Sequence, residues 1–319
     1  MTTARADAGT VIAESDRLAC DRLQDAYASC AEIVRARARN FYYGLRLTPE
    51  PKRSAIYAVY AWMREADDIA DDPGLSQADR DERFGAFEAL TERLLDGGNA
   101  PADAGPCWTA MRDAIDRYAI DPEDLRKLIR GVRADIEAGD RVEFAARADL
   151  ETYCDRVAST AGRICVAIWG IRDDTQRARA RELATVRGHA FQITNVLRDL
   201  GEDLDEGRCY LPSDLLERHG VTCADLRSWA KPAACESALR EAAGWAARAY
   251  QESAELDEMI VPECRAAIGA MTDIYNGLLR VIERDPSRVV SDRRVRLAGW
   301  RKVAIAVRAA VTGRAAQAS

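Results

Sequence analysis

Histidine is nearly missing from this chain, with two residues in 319, and its nine cysteines never fall into a C-x-x-C pair. Zinc sites need clustered Cys and His ligands, which His189, His219 and scattered thiols do not supply. An odd, unspaced set of cysteines is also no disulfide framework, and it reads as reduced, mostly buried thiols. Positive charge is not in excess. The 46 Lys and Arg face 53 Asp and Glu, a net −7, which argues against the basic surface on which nucleic-acid binding rests. Long apolar runs are missing too: Ile164–Ile171 is among the longest, far short of the roughly 18 residues of a membrane span. Met1 to Asp16 lacks the apolar stretch of a signal peptide. The chain is therefore expected in the cytoplasm.

What is present is helix, from end to end, with no period-2 stretch or hairpin signal competing. Ser15 is placed to cap a helix carrying Leu18, Leu23, Tyr27, Cys30 and Val34. Pro49 and Pro51 precede a second helix with Ile56, Val59, Tyr60, Met63 and Ile69 on one face, stopped by Pro73-Gly74. Ser76 opens another, and Asp121-Pro122 opens a further one closed by Gly139. More helices are predicted at about Asp149–Trp169, Thr175–Asp203, Pro232–Leu256, Pro262–Arg284 and Asp292–Val311. No repeat and no long linker divides the chain. The expectation is an all-α fold in one domain, 1–319, of about ten helices burying their apolar stripes on one another. Residues 1–12 and 312–319 are expected to be flexible.

Two acidic clusters carry the chemistry. One is Arg64-Glu65-Ala66-Asp67-Asp68-Ile69-Ala70-Asp71-Asp72; the other is Arg198-Asp199-Leu200-Gly201-Glu202-Asp203. Each holds a D-x-x-x-D, and residues four apart share a helix face, so each pair aims two carboxylates at one spot. The like charges repel by about 0.2–0.5 kcal/mol in an isolated helix, a cost that a cation would offset. Ligands that are all oxygen suit a hard ion such as Mg²⁺ shared with phosphates. The other reading is a solvated acidic face, with the arginines in ordinary surface ion pairs. Two clusters of one spacing, each preceded by an arginine, favour the first.

At these residues the chain resembles the squalene/phytoene synthase family, over roughly Asn40 to Lys302. Three segments carry the likeness, in order along the chain. The first runs from Asn40-Phe41-Tyr42-Tyr43 through Tyr57-Ala58-Val59-Tyr60-Ala61-Trp62-Met63-Arg64 to Asp71. The second is Tyr153-Cys154-Asp155-Arg156-Val157-Ala158-Ser159-Thr160-Ala161-Gly162. The third is Phe191-Gln192-Ile193-Thr194-Asn195-Val196-Leu197-Arg198-Asp199 through Asp203, followed by Gly207-Arg208-Cys209-Tyr210-Leu211-Pro212. Two departures stand out: Arg37-Ala38-Arg39-Asn40 replaces a stretch that is often small and hydroxyl-bearing, and Ala161 stands where valine is common.

The resemblance implies an isoprenoid-synthase bundle around a central channel, and an enzyme joining two prenyl diphosphates head to head. It implies Mg²⁺ held by Asp67, Asp71, Asp199 and Asp203, with Asp68 and Glu202 in support. Arg64, Arg198, Arg208 and Arg294 would meet diphosphate oxygens, with Gln192, Asn195 and Tyr275 completing the polar lining. Tyr153 would act near the reacting carbons, and Phe41 and Tyr60 would face a passing cation. The pattern looks closer to bacterial squalene and presqualene diphosphate synthases, giving farnesyl diphosphate as expected substrate and a C30 product; geranylgeranyl diphosphate and C40 phytoene are the alternative. A catalytically silent scaffold of this fold is weighed against by the intact acid sets. Tyr57, Trp62 or Trp169 is expected to close the channel's deep end. Gly-x-Gly-x-x-Gly is absent, which leaves NADPH use open because reductive relatives bind it without that motif. Finally, Asp292 to Ser319 sets seven Lys and Arg against one acid among apolar residues. Such a helix is suited to peripheral contact at the inner membrane surface, or else to packing on the acidic body. Oligomeric state has no signature in the pattern.

Overall fold

A computed structural model describes residues 8–101, 103–139, 142–291 and 294–317, and all-α is what it shows. In chain order the helices are α1 (Ala8–Arg37), α2 (Arg39–Leu45), α3 (Lys52–Ala70), α4 (Gln77–Leu95), α5 (Pro106–Arg117), α6 (Pro122–Ala138), α7 (Arg147–Cys154) and α8 (Thr160–Trp169). There follow α9 (Arg177–Asp205), α10 (Ser213–Arg218), α11 (Cys223–Ser228), α12 (Pro232–Glu252), α13 (Leu256–Met259), α14 (Arg265–Arg284) and α15 (Gly299–Gln317). Among the described residues the sole extended pairing is one antiparallel bridge, Ile171 with Ile260. The segments outnumber the ten expected because α10, α11 and α13, of six, six and four residues, are too short to show a period.

Local chemistry explains several boundaries. The Ser76 side chain accepts a hydrogen bond from the Asp79 amide, and Asp121 does the same for Glu123 ahead of Pro122. Gly139 ends α6 at φ +59°, a left-handed conformation that suits glycine. Other boundaries differ from the sequence reading. Helix α1 already runs from Ala8, so Ser15 lies inside it and not at its start, and residues 8–12 are helical. Ala8, Ala13, Glu14 and Leu18 are good helix formers and outweigh one serine. Helix α15 likewise continues to Gln317 through Ala309, Ala310, Ala315 and Ala316. The rest of the two expected flexible ends, residues 1–7 and 318–319, lies outside the described residues. The helix expected from Asp292 starts only at Gly299; residues 294–298 run extended, burying alternate Val295 and Leu297.

Two clusters of buried side chains hold the bundle. One gathers α1 and α3 to α6 with α8; the other gathers α9, α12 and α14; Phe41 and Phe191 pack against both. Helix α9 is the axis, packed by α8, α12 and α14. Between α7 and α8 the backbone makes one π turn, Asp155–Ser159, pressed onto α9 at Gly188. A Cβ on Gly188 would lie 2.4 Å from the Ser159 Cα, so no other residue fits. Behind the turn, buried Arg163 bonds Asp124 and Asp155, each at 2.6 Å, and Thr185 at 2.8 Å, which locks α6, α8 and α9 together. Gly201, inside the second acidic cluster, allows the 286–290 turn to reach α9: a Cβ there would sit 2.8 Å from the Val289 carbonyl oxygen.

Candidate active site

An apolar cavity of about 180 Å³ runs along α9, walled by α3, α8 and α14. Its lining passes from Gln192, Asn195, Phe41 and Tyr60 at one end to Ala184, Leu256, Ile168 and Trp169 at the other, by way of Ala158, Ala161, Gly162 and Cys165. The buried Arg187 at its side is fully engaged, bonding the Ser253 hydroxyl and carbonyl at 2.8 Å and Asp257 at 2.9 Å. Its charge is thereby spent within the wall. Trp169 stands at the far end with its indole N–H on Thr48 at 3.0 Å. Trp62 does not face the cavity: it stacks on Phe87 and bonds Thr91. Tyr57 is buried and does not line it either.

The two acidic clusters meet beyond the polar end. Arg208 lies between them: its side chain is ion-paired with Glu206 and 4.0 Å from Asp203, and, against the opposing effect of burial, the charges of Tyr210, Glu206, Asp203 and Asp71 raise its pKa. Asp203 from α9 and Asp71 at the end of α3 thus both act on one cation. Withdrawal from bulk water, reinforced by Asp199, pushes the Asp203 carboxyl up to about 6. Asp67 rises to about 7, first through the same withdrawal, then through Asp71, Asp68 and Asp135, against the opposing pull of Arg64. About half its side chain still opens into the cleft.

Asp199 behaves differently. Burial alone would raise it, yet bonds from Arg198 at 2.5 and 2.7 Å and Arg294 at 2.6 Å hold it below its usual value. Glu202 is more exposed, 3.5 Å from Arg294. Asp68 is not with Asp67 and Asp71. It accepts from Arg37 at 2.6 Å and from Arg64 at 2.9 Å, and lines a surface groove one face away. That follows from its position one residue, about 100°, around the helix from Asp67. Arg64 is likewise drawn toward Asp68, and Glu65 turns inward to accept from the Trp108 indole at 3.1 Å.

Tyr153 packs its ring between Phe144 and Tyr210, at 5.5 and 5.3 Å between centroids. Burial, then Asp135 and Tyr210, raises its hydroxyl well above the usual value, so it stays protonated. Tyr275 is 2 % exposed and stacks on Phe41 at 4.9 Å. It reaches the site only through Arg198 and Asn195, which its hydroxyl meets; its pKa is pushed up to about 12 by burial. Tyr275 is not among the residues that line the cavity.

Two residues were not anticipated. Asp135 on α6 projects toward Asp71 and Arg208 and rises to about 6 through burial and then Asp71; the one signal was an acid set between apolar Val132 and Ile136. Lys302 on α15 lies 5.7 Å over the Tyr43 ring, its pKa lowered by burial and then by Arg296 and Arg198. Arg198, Arg294 and Lys302 therefore crowd one corner, where an anion would relieve them. Among the buried polar atoms without a hydrogen-bond partner, two belong to the site: Asn195 Oδ1, an acceptor, and Arg208 Nε, a donor. Among the described residues no three acids converge closely enough to ring a metal as they stand.

Comparison with known proteins gives the family. Residues 34–301 match the squalene/phytoene synthase family. A phytoene synthase of Mycobacterium tuberculosis is 34 % identical over 90 % of this chain and 91 % of its own. A 15-cis-phytoene synthase of Synechococcus elongatus is 33 % identical over 88 % and 91 %. A presqualene diphosphate synthase of Zymomonas mobilis is 36 % identical over 60 % and 62 %. Among solved structures a dehydrosqualene synthase superposes with TM-score 0.79 at 25 % identity, covering 93 % of this chain and 99 % of that one. With the fold, the channel and both acid-bearing helices in place, the chain belongs to the squalene/phytoene synthase family.

Proposed function

We propose that the protein is a prenyltransferase that condenses two prenyl diphosphates head to head, the whole chain acting as one catalytic unit. The observation that carries this is the convergence of two acid-bearing helices, bridged by Arg208, over the polar end of an apolar channel.

The residues fit Mg²⁺. Donors at the junction are all oxygen, Asp67, Asp71, Asp135 and Asp203 on one side with Asp199 near, and three of them, Asp67, Asp135 and Asp203, are raised in pKa by burial first and by neighbouring acids next. Asn195 Oδ1 adds an unsatisfied neutral oxygen. Mg²⁺ held there supplies positive charge to the departing diphosphate. Arg198, Arg208, Arg294 and Lys302 bind the diphosphate oxygens, so the C1–O bond breaks with its electron pair going to the leaving group. The apolar walls keep water from the allylic cation. Phe41 and Tyr60, whose rings line the channel, present faces worth about 0.5–2 kcal/mol each to a cation.

The C2=C3 electrons of the second substrate then bond to that C1, and loss of a proton from it closes a cyclopropane. Tyr153, itself protonated and hydrogen-bonded to Tyr210 beside Asp135, is the group that relays that proton: its oxygen takes it as its own hydroxyl proton passes to the departed diphosphate. The cyclopropyl diphosphate leaves as such or ionises again.

For chain length, the lining of α9 runs from Asn195 to Ala184, eleven residues, or about 16 Å at 1.5 Å each. An isoprene unit spans about 5 Å, one helical turn, so three units fit to Trp169 and a fourth meets it. This supports farnesyl diphosphate and a C30 product. The end-to-end similarity to phytoene synthases supports the second reading, geranylgeranyl diphosphate and a C40 product. Mass spectrometry of products from each diphosphate with Mg²⁺, with and without NADPH, tests the function. A C30 or C40 head-to-head product supports it; shorter cyclised terpenes or head-to-tail chains refute it.

A further inference from the structure

The large apolar side chains left in solvent among the described residues all lie on α15: Trp300, Val303, Val307 and Val311, between 49 and 69 % exposed. Their spacing of three, four and four puts them in one stripe. The opposite side of the same helix lies along α14 and packs Ile305 into the core. The helix therefore has two apolar faces, and its own fold uses one.

Charge says what covers the other. From Arg294 to Gln317 the sequence has six Lys and Arg and no acid, on a chain whose net charge is −7. Arg301 lies beside the stripe with its guanidinium over the Trp300 ring, 5.4 Å from the centroid; Arg308, two turns on, is ion-paired with Asp273 of α14 at 2.6 Å. A cationic border around an aromatic and three valines is the pattern of a helix seated at a bilayer surface, where the apolar face enters the acyl boundary and the guanidiniums meet anionic headgroups. A second copy of this acidic protein would bring cations against cations around any two-fold axis through the stripe.

Position adds a reason. The segment leading into α15 carries Arg294, bonded to Asp199, and α15 carries Lys302, beside Arg198. The stripe thus begins within two turns of the diphosphate end of the channel, where an amphiphilic substrate arrives and an apolar product leaves.

We propose that the outward face of α15 docks on an anionic lipid bilayer. The proposal goes beyond the catalytic reading and does not depend on chain length. Purified protein is sedimented with phosphatidylglycerol-containing vesicles and with phosphatidylcholine vesicles, for wild type, Val307→Glu and Arg301→Glu. Turnover on detergent-dispersed substrate is measured alongside, and lipid-free oligomeric state is read by analytical ultracentrifugation. Wild type is expected to bind the anionic vesicles about tenfold more tightly than neutral ones. Each variant should bind at least about fivefold more weakly, with detergent-supported turnover unchanged. Equal binding by wild type and both variants overturns the proposal. So does a lipid-free dimer that Val307→Glu dissociates while vesicle binding stays absent, which gives the face to a second copy. Loss of turnover in every wild-type assay with vesicle binding intact would refute the catalytic reading and leave this one standing.

Discussion

Replacing Asp203 by asparagine should make the metal-free protein more stable and catalytically dead. In the folded chain the Asp203 carboxyl has its pKa raised from 3.8 to about 6, by burial first and by Asp199 next. A carboxyl with a raised folded-state pKa binds its proton more tightly folded than unfolded. Its penalty is nil below 3.8, where both states are protonated, builds as pH rises from 3.8 toward about 6, and is full above that. Two units correspond to about 3 kcal/mol; water in the cleft screens roughly half, leaving about 1.5 kcal/mol. Asparagine keeps the shape and removes the charge. In EDTA at pH 8 the variant should melt about 2–4 °C higher than wild type, and the gain should disappear by pH 4. Thermal melts followed by circular dichroism across that range read it out. A variant destabilised at pH 8, or one whose gain is the same at pH 4, would refute the electrostatic account of the site.

Asp67→Asn, Asp71→Asn and Asp199→Asn should each lower kcat by about 10³ or more while circular dichroism stays unchanged; near-wild-type rates would remove that acid from the site. Tyr153→Phe keeps the ring between Phe144 and Tyr210 and should cut kcat by about 10² with KM little changed, in the range of a lost proton-transfer group. Trp169→Leu should raise kcat/KM for geranylgeranyl relative to farnesyl diphosphate by about tenfold, or about 1.4 kcal/mol; an unchanged ratio means the channel ends elsewhere.

The helices that frame the site were legible because their signals are local. Ser76 and Asp121 cap where their side chains predict, and the D-x-x-x-D spacing puts Asp199 and Asp203 on one face of α9. What sequence could not show is direction around a helix that is apolar on more than one side. Helix α3 buries Tyr57 and Trp62 away from the channel and turns Tyr60 and Met63 into it. Asp68 was expected to support Asp67, and one residue of offset sends it to Arg37 and Arg64. Asp135 and Lys302 carry no motif of their own; each matters through neighbours more than fifty residues away in sequence, such as Asp71 and Arg198. The extended residues 294–298 read as helix because two buried positions, Val295 and Leu297, are too few to establish period two.

The central claim is that one active site joins two prenyl chains through their diphosphate-bearing carbons, and carbon-13 at C1 of the substrate tests it directly. Carbon NMR of the product formed from [1-13C]farnesyl or geranylgeranyl diphosphate reports where the two labels lie. Labels bonded to each other, or separated by one carbon if the cyclopropyl diphosphate is the end point, are the predicted result. Labels held apart by three carbons, as head-to-tail extension would leave them, or a product carrying one label alone, would contradict it.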